Sequence, residues 1–319
     1  MPVFPSVVKL TFITSCLFQE REIIYKTNAE TLKTALLSAA GRAVTGVTIS
    51  QQEFLIKRMP WKNGETGKGV FDFDGCLTLV GITPDGTSQG TIWQEIGDQL
   101  VTHPGLKRRM SADYHKYAGR TDIDGQKEWA DRAYENFHKA GVTRQNLLDI
   151  ADNIILRPWV TDFIKEFIAA GHKIAIVSYG MKQVIERVLE KNGIRNYVTA
   201  IYADTLKFSG DHLRGVVDYL PRVVPANKDV FARIFIHLNE DYPKRAIIVG
   251  DSVHDLQMFR GNPQALRIYL NHPGSYTAKG FNYHNLKEAV RAADVVIATP
   301  DWSFQPVADF INWATYTSS

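Results

Sequence analysis

Gly69-Val70-Phe71-Asp72-Phe73-Asp74-Gly75-Cys76-Leu77-Thr78 is a short apolar run that stops at two aspartates two residues apart and then a glycine. Working outward, the same pattern recurs. Apolar runs ending in polar or glycine residues cover Lys173–Ser178, Tyr197–Asp204, Ala246–Asp251, Leu266–Leu270 and Asp294–Ala298. Most are continuous rather than alternating, as expected for parallel strands covered on both faces. Helical spacing fills the gaps: Trp159, Phe163, Ile164 and Phe167; then Met181, Val184, Ile185, Val188 and Leu189, stopping at Asn192-Gly193; then Phe231, Ile234, Phe235 and Leu238. Strands alternating with helices predict βαβ units, hence an α/β chain with a doubly wound parallel sheet.

The stretch from about 82 to 156 interrupts this rhythm. Ile92, Ile96 and Leu100, then Trp129, Ala133 and Phe137, repeat at helical spacing, and no strand is evident. It reads as a helical insertion at 82–156 within a core formed by 66–81 and 157–319. Residues 1–65 read as an N-terminal extension of unassigned role. Within it Asn28 is placed to cap a helix over Ala29–Ala40, and Lys57–Gly67 reads as a polar linker.

Composition narrows the function classes. The chain has 319 residues, 45% hydrophobic and 22% charged, enough to bury a full core. Lys and Arg number 37 and Asp and Glu 34, so the formal charge is +3. That charge is small and evenly spread, which argues against a nucleic acid polymer or an anionic membrane as partner. No run reaches the roughly 18 apolar residues of a membrane helix. Two cysteines, Cys16 and Cys76, with Cys76 in the aspartate loop, point to a reducing, cytoplasmic setting. The apolar Val3–Phe18 leaves a degenerate signal peptide as the alternative.

Four pieces carry chemistry. Asp72 and Asp74 lie at the carboxyl end of a strand, where open α/β sheets bind ligands. One carboxylate can attack phosphorus while the other protonates the leaving oxygen and then activates water. Alone, the pair reads more readily as a solvated or calcium-like site at a strand end. Ser178 ends the next strand, and with Tyr179-Gly180 it offers a hydroxyl and backbone N–H groups before a helix, a cradle for phosphate or merely a cap. Lys228 opens a helix and can neutralise phosphate charge. Asp251 ends another strand with Asp255 four residues on, a pair suited to a hard oxygen-seeking cation such as Mg²⁺ or to capping. His254 reads as structural.

In this order the four pieces resemble the haloacid dehalogenase superfamily of phosphatases over about residues 68 to 300. The resemblance implies a Rossmann-like core with a helical cap, closing over the site, made by the insertion. It implies Asp72 as nucleophile and Asp74 as general acid/base, with Ser178, Tyr179, Gly180 and Lys228 binding phosphate. It implies Mg²⁺ held by Asp72, the Asp74 carbonyl and Asp251, with Asp255 in support. The expected substrate is a small phosphorylated metabolite.

Two branches are similar. Ile201–Gly215 resembles the strand-and-turn unit of both phosphoserine phosphatase and the cytosolic pyrimidine 5′-nucleotidases. Glu128-Trp129, Ala140-Gly141-Val142, Leu147–Ile150 and Arg157 favour the nucleotidases. Against that, Gly75-Cys76 and Ser178-Tyr179-Gly180 depart from the nucleotidase Met-Thr and Ser-Ala-Gly. No acidic residue stands just after Thr78, where phosphoserine phosphatases use one to hold the substrate amine. Nucleoside 5′-monophosphates are therefore the expected substrates, with Ser88, Trp93 and Glu95 as candidate substrate-specificity residues. A phosphoserine phosphatase-like hydrolase, a phosphotransferase and a non-catalytic binding protein are the alternatives. Oligomeric state is not predicted.

Overall fold

The computed structural model describes residues 9–12, 21–25, 61, 64–82, 86, 88–117, 120–237, 246–271, 288, 291–299 and 302–317. Its centre is β3 (Lys68–Phe71), every residue of which is buried. β6 (Lys173–Met181) and β10 (Ala246–Gly250) flank it in parallel, so Phe71 stands opposite both Ile176 and Val249. β7 (Ala200–Asp204) continues one side, and β11 (Leu266–Asn271) and β12 (Val295–Ala298) the other. The six parallel strands run in the order β12-β11-β10-β3-β6-β7.

Period-two alternation splits the strands between two cores. Phe71, Ile176, Val249 and Ile268 face one side. There they meet α5 (Val160–Ala169), α6 (Lys182–Lys191) and α9 (Gln305–Thr317), with Phe71 packed edge-on to Phe163 and Phe167. Val70, Ala175 and Ile248 face the other, against α7 (Lys228–His237) and α8 (Leu256–Gly261). Helices on both faces are what the continuous apolar runs require, and the fold is the doubly wound α/β sheet read from the sequence.

The insertion carries four helices: α1 (Ile92–Leu100), α2 (Pro104–Tyr117), α3 (Ile123–Lys139) and α4 (Arg144–Asn153). Thr91 with Gln94, and Thr143 with Asn146, form capping boxes that start α1 and α4; such caps stabilise a helix by roughly 1 kcal/mol. The chain entering and leaving the insertion pairs with itself. Thr78 bridges Leu156, Leu79 donates to the Ile155 carbonyl at 3.0 Å, and Arg157 donates to that of Leu77 at 2.9 Å. None of the helices among the described residues is long and apolar enough to cross a membrane.

Several expectations are corrected. A two-residue strand, β5 (Ser88–Gln89), pairs antiparallel with β4 (Gly81–Ile82) inside a stretch read as strandless; two residues are too short to show a period. Part of the N-terminal extension joins the sheet: β2 (Arg21–Tyr25) pairs antiparallel with β12, and β1 (Lys9–Phe12) with β2. The end of the supposed polar linker is packed, with Trp61 1% exposed against Phe167 and His172. Trp159 does not belong to the buried stripe of α5. It precedes the helix with φ 73° and is exposed. The helix expected over 29–40, and Cys16, lie outside the described residues.

Candidate active site

The register brings the site together. Because Phe71 is level with Val249 and Ile176, the residues just past them emerge at one edge of the sheet. Asp72 still donates its N–H to the Val249 carbonyl at 3.0 Å. The loop then turns at Gly75, whose φ of 79° suits glycine. A Cβ there would also stand 2.3 Å from Asp251 Oδ2, so the turn can press against Asp251 only because no side chain intervenes.

Lys228, at the start of α7, is buried between two carboxylates. Its Nζ lies 2.7 Å from Asp72 Oδ1 and 2.7 Å from Asp255 Oδ1. The other oxygen of Asp255 accepts from Asp251 N–H at 3.1 Å, Ser252 N–H at 3.0 Å and Ser252 Oγ at 2.9 Å. With both oxygens engaged, Asp255 is placed to position Lys228 and the Asp251 loop. Gly250 permits this approach, since a Cβ there would come within 2.5 Å of Asp255 Cβ.

Asp74 Oδ1 accepts the backbone N–H of Ile92, the first residue of α1, at 3.3 Å. Trp93 Nε1 donates to the Tyr179 carbonyl at 2.7 Å, and Tyr179 OH to the Gln126 carbonyl of α3 at 2.7 Å. Ala226 N–H donates to Gln126 Oε1 at 2.8 Å. The insertion thus touches the core beside Asp74, Ser178 and Lys228.

β6 behaves differently from the expected short strand and immediate helix. It runs to Met181 with a register shift between Val177 and Met181, and α6 begins only at Lys182. Such an irregularity re-aims a strand end. Ser178 Oγ accepts the Gly180 N–H at 3.0 Å, and Gly180 does not line the cavity.

Electrostatics set the protonation states. Burial first, then repulsion from Asp255, pushes the Asp72 carboxyl up, against the pull of Lys228. Burial and Asp255 likewise raise Asp251. Asp74 is pushed up to about 8 by burial and by Asp72, with the Ile92 N–H opposing. Burial works to raise Asp255 as well, but Lys228 and Ser252 outweigh it and hold it below the usual range. For Lys228, Asp255 and Asp72 outweigh the cost of burial and keep the ammonium charged.

Asp72, Asp251 and Asp255 each offer an oxygen, all within 4.8 Å of one another. The donors are all hard carboxylate oxygens, and their mutual repulsion is the kind a divalent cation relieves. The residues fit Mg²⁺.

A cavity of about 660 Å³ opens from these groups towards the insertion. Asp72, Asp74, Ser178, Lys228 and Asp251 line its inner end, and Trp93, Met110, Asp113, Trp129 and Tyr179 the outer part. The rings of Trp93, Trp129 and Tyr179 have centroids 4.8 to 5.7 Å apart. Of the three candidate specificity residues only Trp93 lines the cavity. Ser88 is exposed on β5, and Glu95 accepts from Gly90 N–H and from Gln99 Nε2; neither lines the cavity. Residues two apart on a helix point to opposite sides, which separates Glu95 from Trp93. From the sequence Trp129 reads only as a helix-face residue and a point of family resemblance, and Met110 and Asp113 carry no signal, because nothing local distinguishes a cavity wall from a helix core.

The chain matches the model of the haloacid dehalogenase-like hydrolase family over residues 70–260 and belongs to that family. Among curated proteins it is similar to a 2-hydroxy-3-keto-5-methylthiopentenyl-1-phosphate phosphatase of Microcystis aeruginosa, with 28% identity over 115 residues, 36% of this chain. The match spans about half, 52%, of that relative. Among solved structures, the fold is similar to cytosolic 5′-nucleotidase IIIB bound to cytidine, with TM-score 0.58 and 18% identity over 83% of this chain and 90% of that one. It is also similar to a probable phosphoserine phosphatase from Vibrio cholerae, with TM-score 0.56 and 16% identity over 82% of this chain and 68% of that one.

Proposed function

We propose that the protein is a Mg²⁺-dependent phosphomonoester hydrolase that works through an aspartyl-phosphate on Asp72. The observation that carries this is the buried contact of Lys228 Nζ with Asp72 Oδ1, 2.7 Å, with a second carboxyl, Asp74, lining the same cavity. Lys228 fixes the direction of the Asp72 carboxylate and favours its ionised form. Ser178 Oγ and Lys228 Nζ hold the phosphoryl oxygens. Asp72, Asp251 and the Asp74 carbonyl would hold Mg²⁺, with Asp255 positioning the set. When bound, the cation supplies charge neutralisation for phosphate and carboxylates together.

In the first step an Asp72 oxygen bonds to phosphorus as the bond from phosphorus to the leaving oxygen breaks. Asp74, whose carboxyl pKa burial and the neighbouring Asp72 hold up, gives its proton to that oxygen. In the second, ionised Asp74 takes a proton from water, the water oxygen bonds to phosphorus, and the Asp72–phosphorus bond breaks. Phosphate leaves and both carboxyls return to their starting states. The contact of Asp74 with Ile92 ties this acid to the first turn of the insertion, so closure of the cap and placement of the proton go together.

The aromatic outer wall favours a substrate whose leaving group carries a flat ring, and nucleoside 5′-monophosphates fit that description. The cytidine bound to the nucleotidase neighbour, and a curated relative that is itself named a phosphatase, support the reading. The test is a screen of nucleotides, phosphoamino acids and sugar phosphates with Mg²⁺, repeated after exhaustive chelation and with an added alcohol acceptor. Phosphate release from nucleotides, lost on chelation and undiverted to the alcohol, is the expected result.

A further inference from the structure

Arg157 lies at the base of the insertion, 1% exposed, where the chain returns to the core. Its backbone N–H donates to the Leu77 carbonyl at 2.9 Å, fastening the two hinge segments together. Its guanidinium turns towards the aspartate loop. Nε donates to the Gly75 carbonyl at 2.9 Å, and Nη2 reaches the same oxygen. On the other side Nη1 donates to Thr299 Oγ1 at 3.0 Å and to the Trp302 carbonyl at 3.4 Å. The Trp302 ring covers the guanidinium at 5.4 Å. Trp302 itself has φ 63°, a conformation that a residue other than glycine rarely takes, and its N–H donates to the Thr299 carbonyl at 3.1 Å. Thr299 and Trp302 lie beyond the 70–260 span of the family match.

Gly75 is the residue on which the loop turns against Asp251. A fixed, delocalised cation gripping its carbonyl from behind holds the loop at that distance. The charge of Arg157 also acts on Asp251. We propose that Arg157, anchored by Thr299 and Trp302, is a positioning residue that sets the Asp72–Asp74 loop against Asp251 in the arrangement that binds Mg²⁺. The inference rests on the function proposed above. It makes the C-terminal segment a working part of the site.

The test uses the full chain with Arg157→Lys, which keeps the charge but loses the planar grip, and Thr299→Val, which removes one anchor. Mg²⁺ binding is read by calorimetry, hydrolysis by kcat and KM, and folding by thermal melting. Arg157→Lys is expected to weaken Mg²⁺ binding by about tenfold and to lower kcat by about 10- to 100-fold, the usual cost of losing a residue that supports metal ligands. KM should change little, and Thr299→Val should show a smaller loss in the same direction. A folded Arg157→Lys protein with wild-type Mg²⁺ affinity overturns the proposal. Should that variant not fold, unchanged Mg²⁺ affinity in Thr299→Val overturns it instead. If the wild type hydrolyses nothing yet binds Mg²⁺ and the variants bind it more weakly, the clamp stands and the hydrolase reading falls. A wild type that binds no Mg²⁺ ends the proposal.

Discussion

Lys228 Nζ lies 2.7 Å from Asp72 Oδ1 in a site where neither side chain is more than slightly exposed. The pair joins the residue just past β3 to the first residue of α7, which meet only because the sheet is parallel and doubly wound. Lys228→Met removes the cation shared by Asp72 and Asp255. Breaking a buried pair from one side costs roughly 3–5 kcal/mol. Denaturant titration without Mg²⁺ should show a loss of that order, and kcat should fall by at least about 100-fold, as when a charge-stabilising donor is lost.

Mg²⁺ should stabilise the folded chain. Three buried carboxylates within 4.8 Å repel one another, so a cation that binds only the folded form raises the melting temperature. At 100 times its dissociation constant the gain is about 2.7 kcal/mol. Asp251→Asn, which removes a proposed ligand, should melt at nearly the same temperature with and without Mg²⁺.

The aromatic wall should govern binding more than chemistry. Trp129→Ala removes a ring 5.6 Å from Tyr179 and 4.8 Å from Trp93. For a nucleoside monophosphate KM should rise about tenfold, equivalent to about 1.4 kcal/mol, with a smaller change in kcat. For glycerol phosphate, which has no ring, steady-state kinetics should show little change.

His172 should contribute a loss of stability on mild acidification, opposite in sign to the contribution of the raised Asp74 and read as the difference between the wild type and a His172 variant. Burial lowers its pKa from 6.5 to about 4, and its Nδ1 accepts the Gly67 N–H at 2.9 Å, which needs the neutral ring. At this residue the unfolded chain therefore binds the proton more readily between these values, and the His172 contribution is lost as pH falls from about 7 to 5. Linkage gives a loss on the order of 2 kcal/mol. Denaturation of the Mg²⁺-saturated protein at both pH values should show that difference reduced in His172→Gln.

Much of the fold and site is readable from the chain, and the reasons differ by element. Strands buried on both faces must be apolar throughout, so β3, β6, β10, β11 and β12 stand out as runs. The acids and the lysine follow such runs or open a helix, and parallel register gathers Asp72, Lys228, Asp251 and Asp255 with no further information. The insertion is less legible. Its cavity is built from separate helices, and α1 turns Trp93 to the cavity while Glu95 turns back to its own helix start. Gln89 carries no local signal beside Ser88, yet it is the buried residue of the two, donating to the Leu79 carbonyl at 2.6 Å and accepting Ile155 N–H at 2.8 Å. Arg157 is marked only by family resemblance, because its partners at Gly75 and Thr299 are 82 and 142 residues away.

The central claim is that Asp72 carries the phosphoryl group. Its most direct test is acid quenching during turnover of a radiolabelled phosphomonoester, followed by peptide mapping of the protein. The account predicts label on the peptide containing Asp72 in the wild type and none in Asp72→Asn, which should fold normally and release no phosphate. Label on another residue, or sustained phosphate release by Asp72→Asn with deamidation excluded, would contradict it.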